Sequence, residues 1–375
     1  MGGAEGPLVL IVAGGTGGHL YPGIAVAQAL VRKSLAAGTP IRVAFVVRSG
    51  DLGREILQRE GFEVHDLPGQ GFPRELSFKV FTFPVKLFQG FKGALDLIQS
   101  VRPDLVLGMG GYLSFPVLLA AKWRGARTMI HEQNMVPGLA NKILGRTVDS
   151  VAASFPESVP HFPALKTWVA GLPIRDDMRP GDASQARARL GLSPDLQTLL
   201  IFGGSLGAHR LNQIVVETWR RLGRQADSWQ VIHITGRADE ALMIEAYRGL
   251  GLASKILPYS HEMPVLYAAA DLVICRSGAS TVAELLAVRR RAVLIPFPYA
   301  TGNHQFFNAQ VLEKRGRGSI ILEKDLTPAR LGREVIKSLS DPARRENVFG
   351  MEESGGIAAD RIADFIGNRL GLKLL

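Results

Sequence analysis

Apolar runs of four to seven residues, rich in Val, Ile and Leu, recur along the chain with helix-period patterns between them. In the first half they fall at 8–13, 41–47, 63–67, 104–108, 127–131, 150–153 and 167–170. In the second half they fall at 198–202, 230–234, 255–258, 272–275, 292–295 and 319–322. In most of them continuous hydrophobicity over so short a span predicts strands covered on both faces, and the intervening helices predict parallel sheets in an α/β fold. The alternation then restarts. "LVLIVAGGTGGH" opens the first half and "TLLIFGGSLGAH" (198–209) the second, each a strand, a Gly-Gly-Thr or Gly-Gly-Ser turn, and a helix led by a histidine. Between them "GLPIRDDMRPGDASQARARLGLSPD" has the Pro, Gly and charge content of a linker. The echo predicts two Rossmann-like domains facing each other across a cleft. Their expected bounds are 1–178 and 179–355, with a last helix in 356–375 that packs back on the first domain.

Composition narrows the class. The chain has 375 residues, 46% hydrophobic and 21% charged, which is ample for two ordinary cores. Its one cysteine, Cys275, excludes a disulfide framework and a Cys-based zinc site. No apolar stretch approaches the ~20 residues that span a bilayer, and the first apolar run lacks the basic flank of a signal peptide. The net charge of +10 is shared evenly by the two halves, so it is not a basic tail. It fits acidic partners such as nucleotides or anionic lipid headgroups. No helix-turn-helix, zinc-finger spacing or aromatic RNP motif accompanies it, so no nucleic-acid partner is expected.

Three Gly-rich turns follow predicted strands: 14–18, 203–207 and "GMGGY" at 108–112, which contains Gly111 and Tyr112. Such turns expose backbone N–H groups at a helix N-terminus, where donors and macrodipole attract anions. The dinucleotide fingerprint G-x-G-x-x-G fails here, because Gly15 and Gly17 are followed by Leu20 where the third glycine belongs. The next strand ends on Arg48 rather than an acidic residue, which leaves an NADP enzyme as a weaker alternative. "HEQNM" at 131–135 has Met135 where a zinc protease needs its second histidine, and no metal site or cofactor is expected.

The richest stretch is "CRSGASTVAELLAVRRRAVLIPFPYATGNHQFFNAQVLEKRG", 275–316. Ala279 N–H and the Thr281 hydroxyl can donate to phosphate, and Glu284 suits two ribose hydroxyls. Thr281 and Glu284 also have capping-box spacing, so a purely structural role stays open. Asn303, His304 and Gln305 add more hydrogen-bonding groups than capping requires, and amides with imidazole suit sugar hydroxyls.

Taken in order, "GGTGGHLYPGIAVAQAL", "GMGGYLSFPVLLAA", "HEQNMVPGLANKIL", "GGSLGAHRLN" and "CRSGASTVAEL…HQFFNA" closely resemble the MurG family over essentially the whole chain. The resemblance implies a GT-B glycosyltransferase that moves GlcNAc from UDP-GlcNAc to lipid I, giving lipid II, at the cytoplasmic face of the bacterial plasma membrane. It implies an N-terminal domain facing acceptor and membrane, and a C-terminal domain that binds the donor. Glu284 would then take the ribose hydroxyls, with Ala279, Ser280, Thr281, Val282 and Ala283 near the diphosphate. Ser205 would contact phosphate, Arg175 would neutralise it across the cleft, and Ser260 would meet uracil through its backbone. Gln305 would hold the GlcNAc hydroxyls, with Asn134, Thr16, Gly17 and Gly18 reaching the sugar, and with His304, Gly111 and Tyr112 as further contacts. This chain departs from the family at Leu172, where an Asn is frequent, at His304, where a Gln is common, and at Ser280, where a Leu is frequent.

An α-linked donor and a β-linked product imply single-displacement inversion, which needs a base for the acceptor hydroxyl and positive potential on the leaving diphosphate. His19 is the favoured base, its unperturbed pKa of about 6.5 suiting proton transfer near neutrality. A phosphate contact is its alternative role, and Glu132 and Asp104 are weaker candidates for the base, Asp104 reading better as a strand-start residue. A lipid acceptor also asks for a membrane face. Residues 71–93 hold six Phe with Arg74, Lys79, Lys86 and Lys92, and the expected anionic-surface contact lies in 72–92. The competing readings are a galactosyl-diacylglycerol synthase-like enzyme, a UDP-GlcNAc 2-epimerase, and a non-catalytic sugar-nucleotide sensor.

Overall fold

All thirteen apolar runs form strands in the computed structural model of the protein, which describes residues 6–14, 17–51, 53–68, 79–204, 207–340 and 355–374, with the backbone alone for 79–88, 301, 355 and 356. The first seven are β1 (Leu8–Val12), β2 (Arg42–Arg48), β3 (Glu63–Leu67), β4 (Leu105–Gly108), β5 (Arg127–Glu132), β6 (Ser150–Ala153) and β7 (Thr167–Val169). The others are β8 (Gln197–Phe202), β9 (Trp229–Ile234), β10 (Ser254–Leu257), β11 (Leu272–Cys275), β12 (Ala292–Leu294) and β13 (Gly318–Ile320). Between them run α1 (Gly17–Ala37), α2 (Gly53–Arg59), α3 (Lys79–Val101), α4 (Ser114–Trp123), α5 (Leu139–Thr147), α6 (Ala183–Leu190) and α7 (His209–Leu222). Then come α8 (Glu240–Leu250), α9 (Met263–Ala269), α10 (Ala279–Ala287), α11 (His304–Lys314), α12 (Pro328–Ser340) and α13 (Gly355–Leu370).

The chain divides into two compact units, residues 1–176 with 354–375 and residues 177–353, two residues ahead of the boundaries expected from sequence. Each unit is an α/β unit with one parallel sheet. The first sheet has the order β3-β2-β1-β4-β5-β6-β7 and the second β10-β9-β8-β11-β12-β13. Both orders reverse once, between β1 and β4 and between β8 and β11. At such a reversal the flanking crossovers leave in opposite directions, and a crevice opens beyond the carboxyl ends of the two strands. Val12 lies opposite Gly108 in the first sheet and Phe202 opposite Cys275 in the second. The Gly-rich turns predicted to hold phosphate therefore begin at these two switch points.

In the first unit the last helix, α13, packs on α1. Ile362, Ala363 and Ile366 on it are fully buried, and Phe365 stacks on Trp168 with centroids 5.1 Å apart. Arg32 pairs with Asp176 and Asp360, and Lys33 with Asp364 at 2.9 Å. Half-exposed ion pairs of this kind contribute about 0–1 kcal/mol each, so the apolar face does most of the fixing.

The second unit holds a buried polar chain under its sheet. Asn212 Nδ2 donates to Thr235 O (2.9 Å) and Asp239 Oδ2 (2.7 Å), which leaves Asn212 Oδ1 to accept from His233 Nε2 at 3.0 Å. His233 Nδ1 then accepts from the Tyr247 hydroxyl (3.0 Å), which itself accepts from Trp219 Nε1 (3.1 Å). Burial pushes the His233 pKa down to about 3, so the ring is neutral. Among the described residues no helix is long and apolar enough to cross a membrane.

Candidate functional site

In the first unit the site grows from the β1–β4 switch point. β1 ends at Val12 and α1 begins at Gly17, so Gly17, Gly18 and His19 make up its first turn. Facing that turn, the chain leaves β4 through Gly110 and Gly111, whose φ angles are +97° and +78°. Only glycine takes such angles without strain, and the missing side chains let backbone approach the His19 ring. A Cβ on Gly110 would stand 3.0 Å from His19 Cε1, and one on Gly111 3.6 Å from His19 Cδ2. Tyr112, next in the turn, is half exposed. Arg175 is buried and lies over the Tyr21 ring at 4.9 Å, one helical turn or less from His19 along α1. Thr16 lies outside the described residues.

The next strand supplies the rest. Gln133, just past β5, sets its Oε1 3.2 Å from His19 Nδ1 and donates from Nε2 to Met109 O at 2.6 Å. Its Nε2 is also 3.2 Å from His131 Nδ1, and His131 Nε2 is 3.0 Å from Gly171 O. Burial pushes the His131 pKa down to about 4. Sequence reasoning missed Gln133 and His131, although it singled out Glu132 and Asn134 in the same stretch.

The two weaker base candidates have structural partners instead. The Glu132 carboxylate is buried and accepts from Asn134 N (2.9 Å), Asn134 Nδ2 (3.2 Å), Gly138 N (3.3 Å) and Asn141 Nδ2 (2.9 Å). Burial raises its pKa against these donors, and its role is to tie the 132–138 loop and orient Asn134. Asp104 accepts from Leu8 N at 2.8 Å, at the amino ends of the strands and so at the far edge of the sheet from His19. A hollow of about 580 Å³ opens at that far edge, lined by Leu105, Lys122, Arg127, Asp149, Phe365 and Arg369, and holds none of the predicted site residues.

In the second unit, β8 leads through the second Gly-rich turn to α7, where His209 Nδ1 is 2.8 Å from Asp239 Oδ1. Ser205 in that turn lies outside the described residues. Across the β8–β11 reversal, α10 begins at Ala279 with Gly278 as its N-cap and no side-chain cap. Thr281 therefore stands at the third helical position, and the capping-box alternative for Thr281 and Glu284 falls. The first-turn N–H groups of Ala279, Ser280 and Thr281 form an anion-attracting helix start, with Val282 turned into the core and Ala283 partly exposed. Glu284 accepts at Oε2 from the buried Tyr267 hydroxyl at 3.0 Å, a partner absent from the sequence reading. Burial and the neighbouring Glu284 push the Tyr267 pKa well up, so the phenol stays a donor.

Gln305, in the first turn of α11 beside the partly buried His304, accepts at Oε1 from Ser277 N (3.3 Å) and Phe297 N (3.0 Å). Its NH2 end is thereby the part oriented to donate. Ser260 Oγ accepts from Glu262 N at 3.1 Å.

Known proteins align with both units. The glycosyltransferase family 28 N-terminal domain matches residues 9–153, and the glycosyltransferase family 28 C-terminal domain matches residues 198–358. A UDP-N-acetylglucosamine--N-acetylmuramyl-(pentapeptide) pyrophosphoryl-undecaprenol N-acetylglucosamine transferase of Caldanaerobacter subterraneus is 40% identical, covering 89% of this chain and 91% of that protein. The enzyme of the same name from Syntrophus aciditrophicus is 39% identical over 95% of this chain and 97% of its own length. Among solved structures, Acinetobacter baumannii MurG superposes with a TM-score of 0.68 at 25% identity, over 98% of this chain and 99% of that one. The UDP-GlcNAc 2-epimerase of Neisseria meningitidis reaches the same TM-score over 97% and 99% at 11% identity, and so shares the fold alone. On identity sustained across nearly its whole length and on both matched domains, the chain belongs to glycosyltransferase family 28, within the MurG group of N-acetylglucosaminyltransferases.

Proposed function

We propose that this glycosyltransferase moves N-acetylglucosamine from UDP-N-acetylglucosamine to the 4-hydroxyl of the N-acetylmuramyl unit of lipid I, forming lipid II with inversion at the anomeric carbon. The observation that carries the reading is His19, held in the first turn of α1 at the β1–β4 switch point with Nδ1 tied to Gln133. In the reaction the acceptor oxygen forms its bond to the sugar C1 as the bond from C1 to the diphosphate oxygen breaks. His19 takes the hydroxyl proton, and UDP leaves carrying the electron pair. Arg175 and the α10 start stabilise the charge that develops on the diphosphate. Glu284, oriented by Tyr267, takes the ribose hydroxyls, and the Gln305 NH2 donates to the sugar. Asn134, Gly17, Gly18, Gly111, Tyr112 and His304 surround the transferred sugar, with Thr16 and Ser205 adding contacts from the two Gly-rich turns.

On this reading the first unit is the acceptor domain and the second the donor domain. The enzyme works as a peripheral protein on the cytoplasmic membrane face, meeting anionic lipid through 72–92. Of that segment, 72–78 lies outside the described residues and 79–92 belongs to α3. Incubation with radiolabelled UDP-N-acetylglucosamine and a lipid I analogue tests the proposal. Label should appear in a lipid-linked disaccharide and vanish from it in His19→Ala. Label recovered as UDP-N-acetylmannosamine would overturn the transfer reading in favour of epimerisation.

A further inference from the structure

Which ring nitrogen of His19 carries the proton is decided by its hydrogen-bond partners. Two carbonyl groups anchor that decision, because a carbonyl can only accept. At one end Met109 O lies 2.6 Å from the Gln133 amide, so the NH2 faces Met109 and Oε1 faces His19. At the other end Gly171 O lies 3.0 Å from His131 Nε2, with Ser154 Oγ 3.4 Å from the same atom. His131 therefore carries its proton on Nε2. Its burial, which drives the pKa to about 4, keeps the ring neutral and leaves a lone pair on Nδ1. That lone pair faces the second hydrogen of the Gln133 NH2 at 3.2 Å. Both hydrogens of one amide thus have an acceptor, and the assignments made from the two ends agree. The group 3.2 Å from Gln133 Oε1 can only be a donor, and it is His19 Nδ1.

We infer that Gln133, oriented by the Met109 carbonyl and by His131, is a positioning residue that holds neutral His19 in its Nδ1–H tautomer and so places the ring's lone pair on Nε2. The glycine backbone at 110 and 111 lies against the ring, where an added Cβ would stand 3.0 Å from Cε1 and 3.6 Å from Cδ2. The logic is that of a carboxylate orienting a catalytic histidine, with a neutral amide in its place, so no negative charge is brought beside the ring. The inference rests on the base role proposed for His19 only where it touches rate. The tautomer itself is a property of the resting protein.

The test labels histidine with 15N in the full chain and records long-range proton–nitrogen correlations at pH 8, where imidazole is neutral. The His19 signals are those lost in His19→Ala. The expected spectrum has Nδ1 protonated and Nε2 bare, the reverse of the form that predominates for an imidazole in water. An Nε2–H or averaged His19 in the wild-type protein overturns the inference, and this result does not depend on how Gln133→Met folds. Gln133→Met keeps the volume and removes the amide. It should release His19 to the averaged or Nε2–H form and lower kcat on the order of 10-fold to 100-fold. The KM for UDP-N-acetylglucosamine should stay within about twofold, as expected for a group that acts on the base rather than on the donor. A His19 tautomer unchanged in Gln133→Met overturns the positioning role whatever the rate does. A changed tautomer with unchanged kcat supports the positioning and refutes His19 as the base.

Discussion

Gly110 stands at φ +97° with its α-carbon against the His19 ring, and both facts set the outcome of Gly110→Ala. An L-residue in this region costs about 1–2 kcal/mol of backbone strain. The new methyl would lie 3.0 Å from His19 Cε1, 3.2 Å from Nδ1 and 3.5 Å from Gln133 Oε1, so the ring must move by several tenths of an ångström. At about 2–4 °C per kcal/mol for a unit of this size, thermal unfolding should come roughly 2–8 °C earlier. A displaced base costs rate more steeply, and kcat should fall on the order of 10-fold to 100-fold. Gly125 supplies the control, since its φ is +81° yet an added Cβ would meet nothing within 4 Å. Gly125→Ala should show similar strain with wild-type kcat. Differential scanning fluorimetry and steady-state transfer to a lipid I analogue read both quantities. If Gly110→Ala turns over as fast as Gly125→Ala, the placement of His19 against this turn is not what supports catalysis.

Acid should weaken both units, because His131 and His233 are held neutral in the fold with pKa values of about 4 and about 3. Below the ordinary 6.5 the unfolded chain takes up protons that the folded chain refuses, so stability falls as pH drops toward these values. At pH 5 each imidazole accounts for about 2 kcal/mol at 1.36 kcal/mol per unit, and urea unfolding of His233→Gln should lose that much less between pH 7 and 5 than the parent. Glu132→Gln replaces one acceptor oxygen with a donor among four N–H groups. It should destabilise the first unit by about 1–3 kcal/mol in the same assay at pH 7, and a neutral effect would refute the buried acceptor role. Glu284→Gln should raise the KM for UDP-N-acetylglucosamine about 10-fold with kcat changed by less than about threefold, whereas a pure kcat loss would remove Glu284 from the ribose. Changing Lys79, Lys86 and Lys92 together to Glu should abolish flotation with anionic vesicles, and undiminished flotation would retire the basic patch.

Most strands were legible because they are short, apolar and covered on both faces of a parallel sheet, as in β1, whereas the edge strand β3 carries Glu63, His65 and Asp66 and is only partly buried. Glu63–Leu67, Ser150–Ala153 and Leu272–Cys275 match their expected bounds residue for residue. Glycine turns were legible for a related reason, since they leave a composition mark. What sequence could not carry was partnership across the sheet. Gln133 stands 114 positions from His19, and the two meet only because β5 lies one strand beyond β4 in the sheet order. Residue type misled at Glu132, where a carboxylate suited to proton transfer turns out to hold a loop, while Asp104 holds the strand start expected of it. Thr281 and Glu284 had the spacing of a cap, but the helix begins two residues before Thr281.

The return of α13 to α1 has a consequence in time. Residues 177–353 form one uninterrupted stretch, whereas the first unit is assembled from the two ends of the chain. During synthesis the second unit can close as soon as its own residues leave the ribosome. The first must wait, with the α1 surface that α13 covers still bare, until α13 is released. The unit begun first is thus completed only after the second, once α13 has been made and covers α1.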